Sequence, residues 1–196
     1  RHGGEFKDYR AVLAKVEKAA GVKAATPFIV TQAMLRSKSG AAGVVIRGID
    51  PTTAGSVMTT LAQVTLPTMS STESAQQAFP SEPGIVLGKE LARNLGVIEG
   101  DRIYLISAHG MLSPIGHLPA MKQFKVTGFF QSGMYEYDQT FAFIHIDDAQ
   151  RMLRMGDSVT GIDIRVDDIY AARAIAEKII SELGFPYWAR DWMQMN

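Results

Sequence analysis

The sequence predicts an α+β fold in which a β-rich segment is inserted into an α+β frame. Three observations carry this: an amphipathic helix with extended runs behind it opens the chain, a strand and a long amphipathic helix close it, and the middle is dominated by strand-like runs. Residues 1–83 and 157–196 are thereby assigned to the α+β part and residues 84–156 to the β-rich part. No internal repeat or low-complexity tract cuts across this division.

The first helix is FKDYRAVLAKVEKAA, Phe6 to Ala20. Tyr9, Val12, Leu13, Val16 and Ala20 share one face at helical spacing, and Gly21 stops it. VKAATPFIVTQAMLRS then reads as extended with an interruption at Pro27, and GVVIRGID as a β-branched strand closed by Asp50-Pro51. The two pair across the turn-like KSGAAG. From Pro51 to Pro83 the chain is rich in Thr, Ser, Ala and Gln, with short helices expected at Thr52 to Leu61 and Ser71 to Phe79.

The inserted segment opens with a strand at Ile85 to Leu87, a helix at Lys89 to Leu95, a GVIEGD turn and the strand DRIYLIS. KQFKVTGFF and TFAFIHI are two further strands. Asp147 is expected to cap the following helix, DAQRMLRM, with its carboxylate on early backbone amides, a reading preferred over a catalytic Asp147-Asp148 pair. TGIDIRV alternates as a half-buried strand. Asp167-Asp168 starts a helix with Ile169, Ala172, Ala176, Ile179, Ile180 and Leu183 on its apolar stripe, ended by Gly184. Trp188 and Trp192 are expected to pack onto the α+β layer.

Bulk properties exclude several classes of function. The 196 residues carry 20 basic and 20 acidic side chains, so no electrostatic footprint for nucleic acid is present. There is no cysteine, which removes disulfides, thiolate metal sites and cysteine nucleophiles, and leans toward an oxidising compartment. No apolar run approaches the roughly 18 residues that span a bilayer. The opening RHGGEF has neither an initiator methionine nor a signal pattern, and so reads as part of something longer. Nucleophile elbows, S-x-x-K, Walker-type loops and G-x-G-x-x-G are all missing. His109 and His117 lack a third ligand and a rigid frame for zinc. A binding or transmission module is expected, with no catalysis, cofactor or metal.

The connection MLSPIGHLPAM, Met111 to Met121, is the unusual segment. Most strand connections are about four to six residues and polar, whereas this one carries Met111, Leu112, Ile115, Leu118 and Met121. Pro114, Gly116 and Pro119 argue against a helix or a regular central strand. Two readings follow: a lid over the domain's own core, or an arm for a partner. The prolines, which limit the entropy lost on docking, and the adaptable methionines favour the arm. Tyr104 and Lys122 at its base are suited to a polar rim.

Four blocks, GIDP (Gly48 to Pro51), GIVLGKELARNLGVIEGDRI, SPIGHLPAMKQFKVTGFF and FAFIHIDDAQRML, resemble the periplasmic domain of the lipoprotein-releasing permeases, the LolC/LolE family. The resemblance covers nearly the whole chain. It implies a MacB-like periplasmic core, with a porter-type α+β subdomain and an inserted sabre-type subdomain carrying a hook loop at 108–121. It also implies a domain on the periplasmic face of the Gram-negative inner membrane, between the first and second of four transmembrane helices. The partners it implies are a LolA-type lipoprotein carrier, a cytoplasmic ATPase, a second permease subunit and the lipoprotein substrate.

By the same resemblance, the carrier-binding hook is Met111, Leu112, Pro114, Ile115, Gly116, His117, Leu118 and Pro119. An adjoining pad falls on Tyr104, Met121 and Lys122, where Tyr104 and Met121 are less polar than the family's Arg and Gln. The hook is LolC-like and AFIHIDDAQRMLRMGDSVTGIDIRV equally LolE-like, as in a single permease working as a homodimer. A MacB-like efflux or FtsX-like cell-division permease domain is the alternative.

Overall fold

The computed structural model describes residues 8–58, 66, 82–113, 116–184 and 186–190, and side chains outside 108–118. It shows the α+β class, with six α-helices and seven strands among the described residues. Helix α1, Tyr9–Glu17, buries Tyr9, Val12 and Val16 as its spacing predicts. Strands β1, Val22–Arg36, and β2, Ala41–Ile49, form the expected antiparallel pair from Phe28 opposite Ile49 to Arg36 opposite Ala41. In their turn Ser37 Oγ accepts from the Ser39 and Gly40 amides and donates to the Leu95 carbonyl.

The interruption expected at Pro27 is absent, and β1 runs straight through it. Pro27 lies opposite Ile162 of β7, Gly161–Val166, while β2 joins β1 only from Phe28 onward. A residue without an N–H is tolerated where the strand has one neighbour rather than two. Helix α2, Pro51–Val57, has Asp50 as its cap, the carboxylate accepting from the Thr52 amide at 2.9 Å. The second helix expected in that stretch, Ser71 to Phe79, lies outside the described residues.

Strand β3, Gly84–Gly88, and helix α3, Lys89–Leu95, stand where the sequence puts them. The remaining strands are β4, Arg102–Ser113, β5, Gly116–Phe130, and β6, Phe141–His145. Helix α4, Tyr135–Thr140, was not legible in the sequence. Its Asp138 is 4% exposed and accepts from both the amide and the hydroxyl of Ser132, each at 2.7 Å.

The capping of α5, Ile146–Leu153, differs from expectation. His145 is the cap, its Nδ1 accepting from the Asp147 amide at 3.2 Å. Asp147 already lies inside the first turn, because the helix begins at Ile146, two residues earlier than an Asp147 cap requires.

The sheet order is β2-β6-β3-β5-β4-β1-β7, and β2 also pairs with β1. Six strands therefore close on themselves as a barrel, and β7 continues from β1 outside the ring. Ile29, Leu35, Ile46, Ile85, Leu87, Ile103, Leu105 and Phe124, each at most 1% exposed, are buried in its core. Strand β2, grouped by sequence order with the outer segments, hydrogen-bonds to β6 and belongs to this ring. Order along the chain marks where segments lie but not which distant strands they meet.

Helix α1 and helix α6, Ala172–Leu183, share a second cluster around Val12, Val16, Ala25 and Ile179, against which Ile162, Ile164 and Tyr187 pack. Asp168 caps the 3-10 turn ahead of α6 through the Tyr170 amide. The tryptophan expectation fails at Trp188, which is 56% exposed with Arg190 4.8 Å from its ring centre; Trp192 lies outside the described residues.

Candidate functional site: a two-stranded arm and its root

In its described residues, Met111 to Ser113 and Gly116 to Met121, the segment is not an irregular loop. Its backbone continues β4 and β5 as one antiparallel hairpin, with Met111 opposite Leu118, Leu112 opposite His117 and Ser113 opposite Gly116. Pro114 and Ile115, between those last two, lie outside the described residues.

Pro119 fits this hairpin for a specific reason. The register runs from Ser107 opposite Ala120 to Met111 opposite Leu118, so 108–110 on β4 face Pro119 alone on β5. An irregularity of this kind is where a strand accommodates a residue that cannot donate to the ladder.

The ribbon's outer part has no strand beside it among the described residues. Strand β1 flanks β4 only at Tyr104 to Ser107, and β3 flanks β5 only from Lys125 onward. Beyond Ser107 and Ala120 the two strands pair, among the described residues, with each other alone.

At the root, alternation separates two faces. Ile103, Leu105, Ser107, Phe124 and Val126 are buried on the inward side. Outward stand Met34 of β1 (48% exposed), Tyr104 (42%) and Met121 (64%). The register sets Met34 opposite Ile106 and Ile106 opposite Met121, one apolar row across three strands. Arg36, Tyr104 and Gln123 form the next row.

Of the three pad positions, Tyr104 and Met121 share the outward face and Lys122 does not. Its Nζ lies 3.2 Å from Asp148 Oδ1 and its side chain is 23% exposed. Arg151 Nη2 donates to the same oxygen at 2.8 Å. Asp148 is fully buried, and its Oδ2 has no hydrogen-bond partner among the described residues. Lys122 Nζ also sits 5.8 Å from the centre of the Phe124 ring.

Sequence inspection missed Asp148, Arg151, Met34 and Ile106. The available signal for the first two was the i, i+3 spacing of Asp148 and Arg151 and the parity of Lys122 with Phe124 and Val126 along β5. Nothing local links Met34 to the arm, since it arrives through the pairing of β1 with β4.

Residues 2–182 match the MacB-like periplasmic core domain. The chain belongs to that family. Among relatives of this MacB-like core, the lipoprotein-releasing system transmembrane protein LolC of Neisseria meningitidis serogroup B is 32% identical over 96% of the chain and 44% of its own length. LolC of Xylella fastidiosa is 30% identical over 99% of the chain and 45% of its length. LolE of Haemophilus influenzae is 25% identical over 62% of the chain and 29% of its length. The chain thus spans less than half of the curated relatives it matches. In fold, it superposes on the extracellular domain of the noncanonic ABC-type transporter YknZ from Gram-positive bacteria with a TM-score of 0.55, at 10% identity, over 92% of this chain and 85% of that one.

Proposed function

We propose that this MacB-like core is the periplasmic domain of an inner-membrane ABC transporter permease that releases lipoproteins and passes them to a LolA-type carrier. The domain docks the carrier through the ribbon at 108–121 and has no catalysis of its own. The full-length permease works with a second permease subunit, as a hetero- or homodimer, and with a separate cytoplasmic ATPase.

The observation that carries this reading is the apolar ribbon with no strand neighbour among the described residues, set on an outward row of Met34, Ile106 and Met121, in a chain similar to LolC over nearly all its length. A carrier of acylated proteins needs an apolar mouth, and an apolar arm entering it buries surface at about 25 cal/mol per Å². The strand pairing leaves Met111, Leu112, Gly116, His117, Leu118 and Pro119 as a preordered element, which lowers the entropy lost on docking. Tyr104 and Met121 adjoin it as an amphipathic rim.

Photocrosslinking tests this. A photoreactive residue replacing Ile115 crosslinks the carrier of the same organism, while one at Tyr170, 88% exposed and just before α6, does not. Crosslinking from both positions equally, or from Tyr170 alone, contradicts docking through the arm. Capture of an adaptor protein in place of the carrier selects an efflux-type or FtsX-like permease instead.

A further inference from the structure

Along β5 the inward row is Ala120, Lys122, Phe124 and Val126, and the outward row Met121, Gln123 and Lys125. Phe124 and Val126, both fully buried, fix this parity in the lower part of the strand. Higher up, 108–110 opposite Pro119 interrupt the register, so hydrophobic pattern no longer holds the strand to one face. At the seam the apolar rule is inverted. Met121 is 64% exposed, while the neighbouring lysine turns inward.

A buried carboxylate accounts for the inversion. Asp148, in the first turn of α5, is fully enclosed and takes the Lys122 ammonium at 3.2 Å and the Arg151 guanidinium at 2.8 Å on one oxygen. A buried ionic cluster of this kind is weak evidence for stability, and its best-attested use is to specify register. We infer that Asp148 is a positioning residue for the arm: it draws Lys122 inward and thereby keeps Met121 in the outward row at the arm's root. This rests on the docking reading above for its binding consequence, though not for its structural one.

The absence of cysteine makes the inference directly testable. Cysteine replaces Met121 in the otherwise unmodified chain and in the Asp148→Asn background, and maleimide labelling rates are compared, with Tyr170→Cys as the control for general loosening. The expected result is labelling at position 121 slowed about tenfold by Asp148→Asn, and carrier affinity weakened about tenfold, with the control rate unchanged. In Asp148→Asn/Lys122→Met an apolar side chain again suits the inward side. Both readouts then return to within about threefold of the parent, because the ammonium that needed the buried carboxylate is gone and the Arg151 side chain, 41% exposed, keeps water contact.

Unchanged labelling at position 121 in Asp148→Asn overturns the positioning role. So does a double variant that binds as weakly as Asp148→Asn, since Lys122 would then itself be a contact. If the unmodified chain captures no carrier, the docking reading falls, and the labelling rates decide the role of Asp148 by themselves.

Discussion

Arg47 of β2 donates through Nη2 to Asp163 Oδ2 of β7 at 2.5 Å, and so ties the closed barrel to the strand that carries the outer layer. The guanidinium also lies 4.4 Å from the centre of the Phe28 ring, and the two charged side chains are 16% and 28% exposed. Asp163→Ala leaves a largely enclosed cation without its carboxylate. The expected loss is about 2 kcal/mol, below the cost for a fully buried pair because both groups keep some water contact. The midpoint of urea unfolding checks it.

The same carboxylate gives a pH signature. Burial raises its pKa above the ordinary 3.8, against the opposing pull of Arg47. Between 3.8 and the raised value the folded chain holds a proton that the unfolded chain has released. The stabilising contribution is therefore complete below 3.8 and is lost as pH rises through the folded value. Subtracting the unfolding free energy of Asp163→Asn from that of the parent at each pH should give a curve that falls across this window. A flat difference contradicts the assignment.

Gly88 joins β3 to α3 at φ −61, an ordinary conformation, so backbone freedom is not why it is glycine. A Cβ there would lie 1.9 Å from the Asp138 carbonyl oxygen of α4. Gly88→Ala must push two backbones apart and is expected to cost at least about 2 kcal/mol. Thermal unfolding of this variant beside Gly43→Ala, where a Cβ meets nothing within 4 Å, separates close approach from a general glycine effect.

Met121 allows stability and binding to be separated. It is 64% exposed, so Met121→Ser should change stability by no more than about 0.5 kcal/mol. Carrier affinity, in contrast, should fall about fivefold if the outward row is a contact surface. Calorimetric titration and thermal melting of the same preparation measure both.

Much of this architecture was legible because its signals are local. The helical stripe of Tyr9, Val12 and Val16, the β1–β2 hairpin and the strand-helix order from Gly84 onward all follow from periodicity and turns. The ring closure was not legible, since it depends on β1 meeting β4 and β2 meeting β6 across long stretches of chain. The arm shows both sides of this. Its apolar load marked it as a special connection, but its prolines argued against the strand pairing it adopts, because Pro119 is admitted only by the irregular register opposite it. Lys122 looked like a rim cation until the fold brought Asp148 beneath it.

The central claim is that the ribbon is offered to a carrier, and a titration of this chain with the LolA-type carrier of the same organism tests it most directly. Ile115→Glu is measured alongside, with circular dichroism of both proteins. Saturable binding by the parent, lost in a variant with an unchanged spectrum and melting temperature, is the predicted result. Binding that survives Ile115→Glu, or a variant that no longer folds, would contradict an arm and return the segment to the role of a lid.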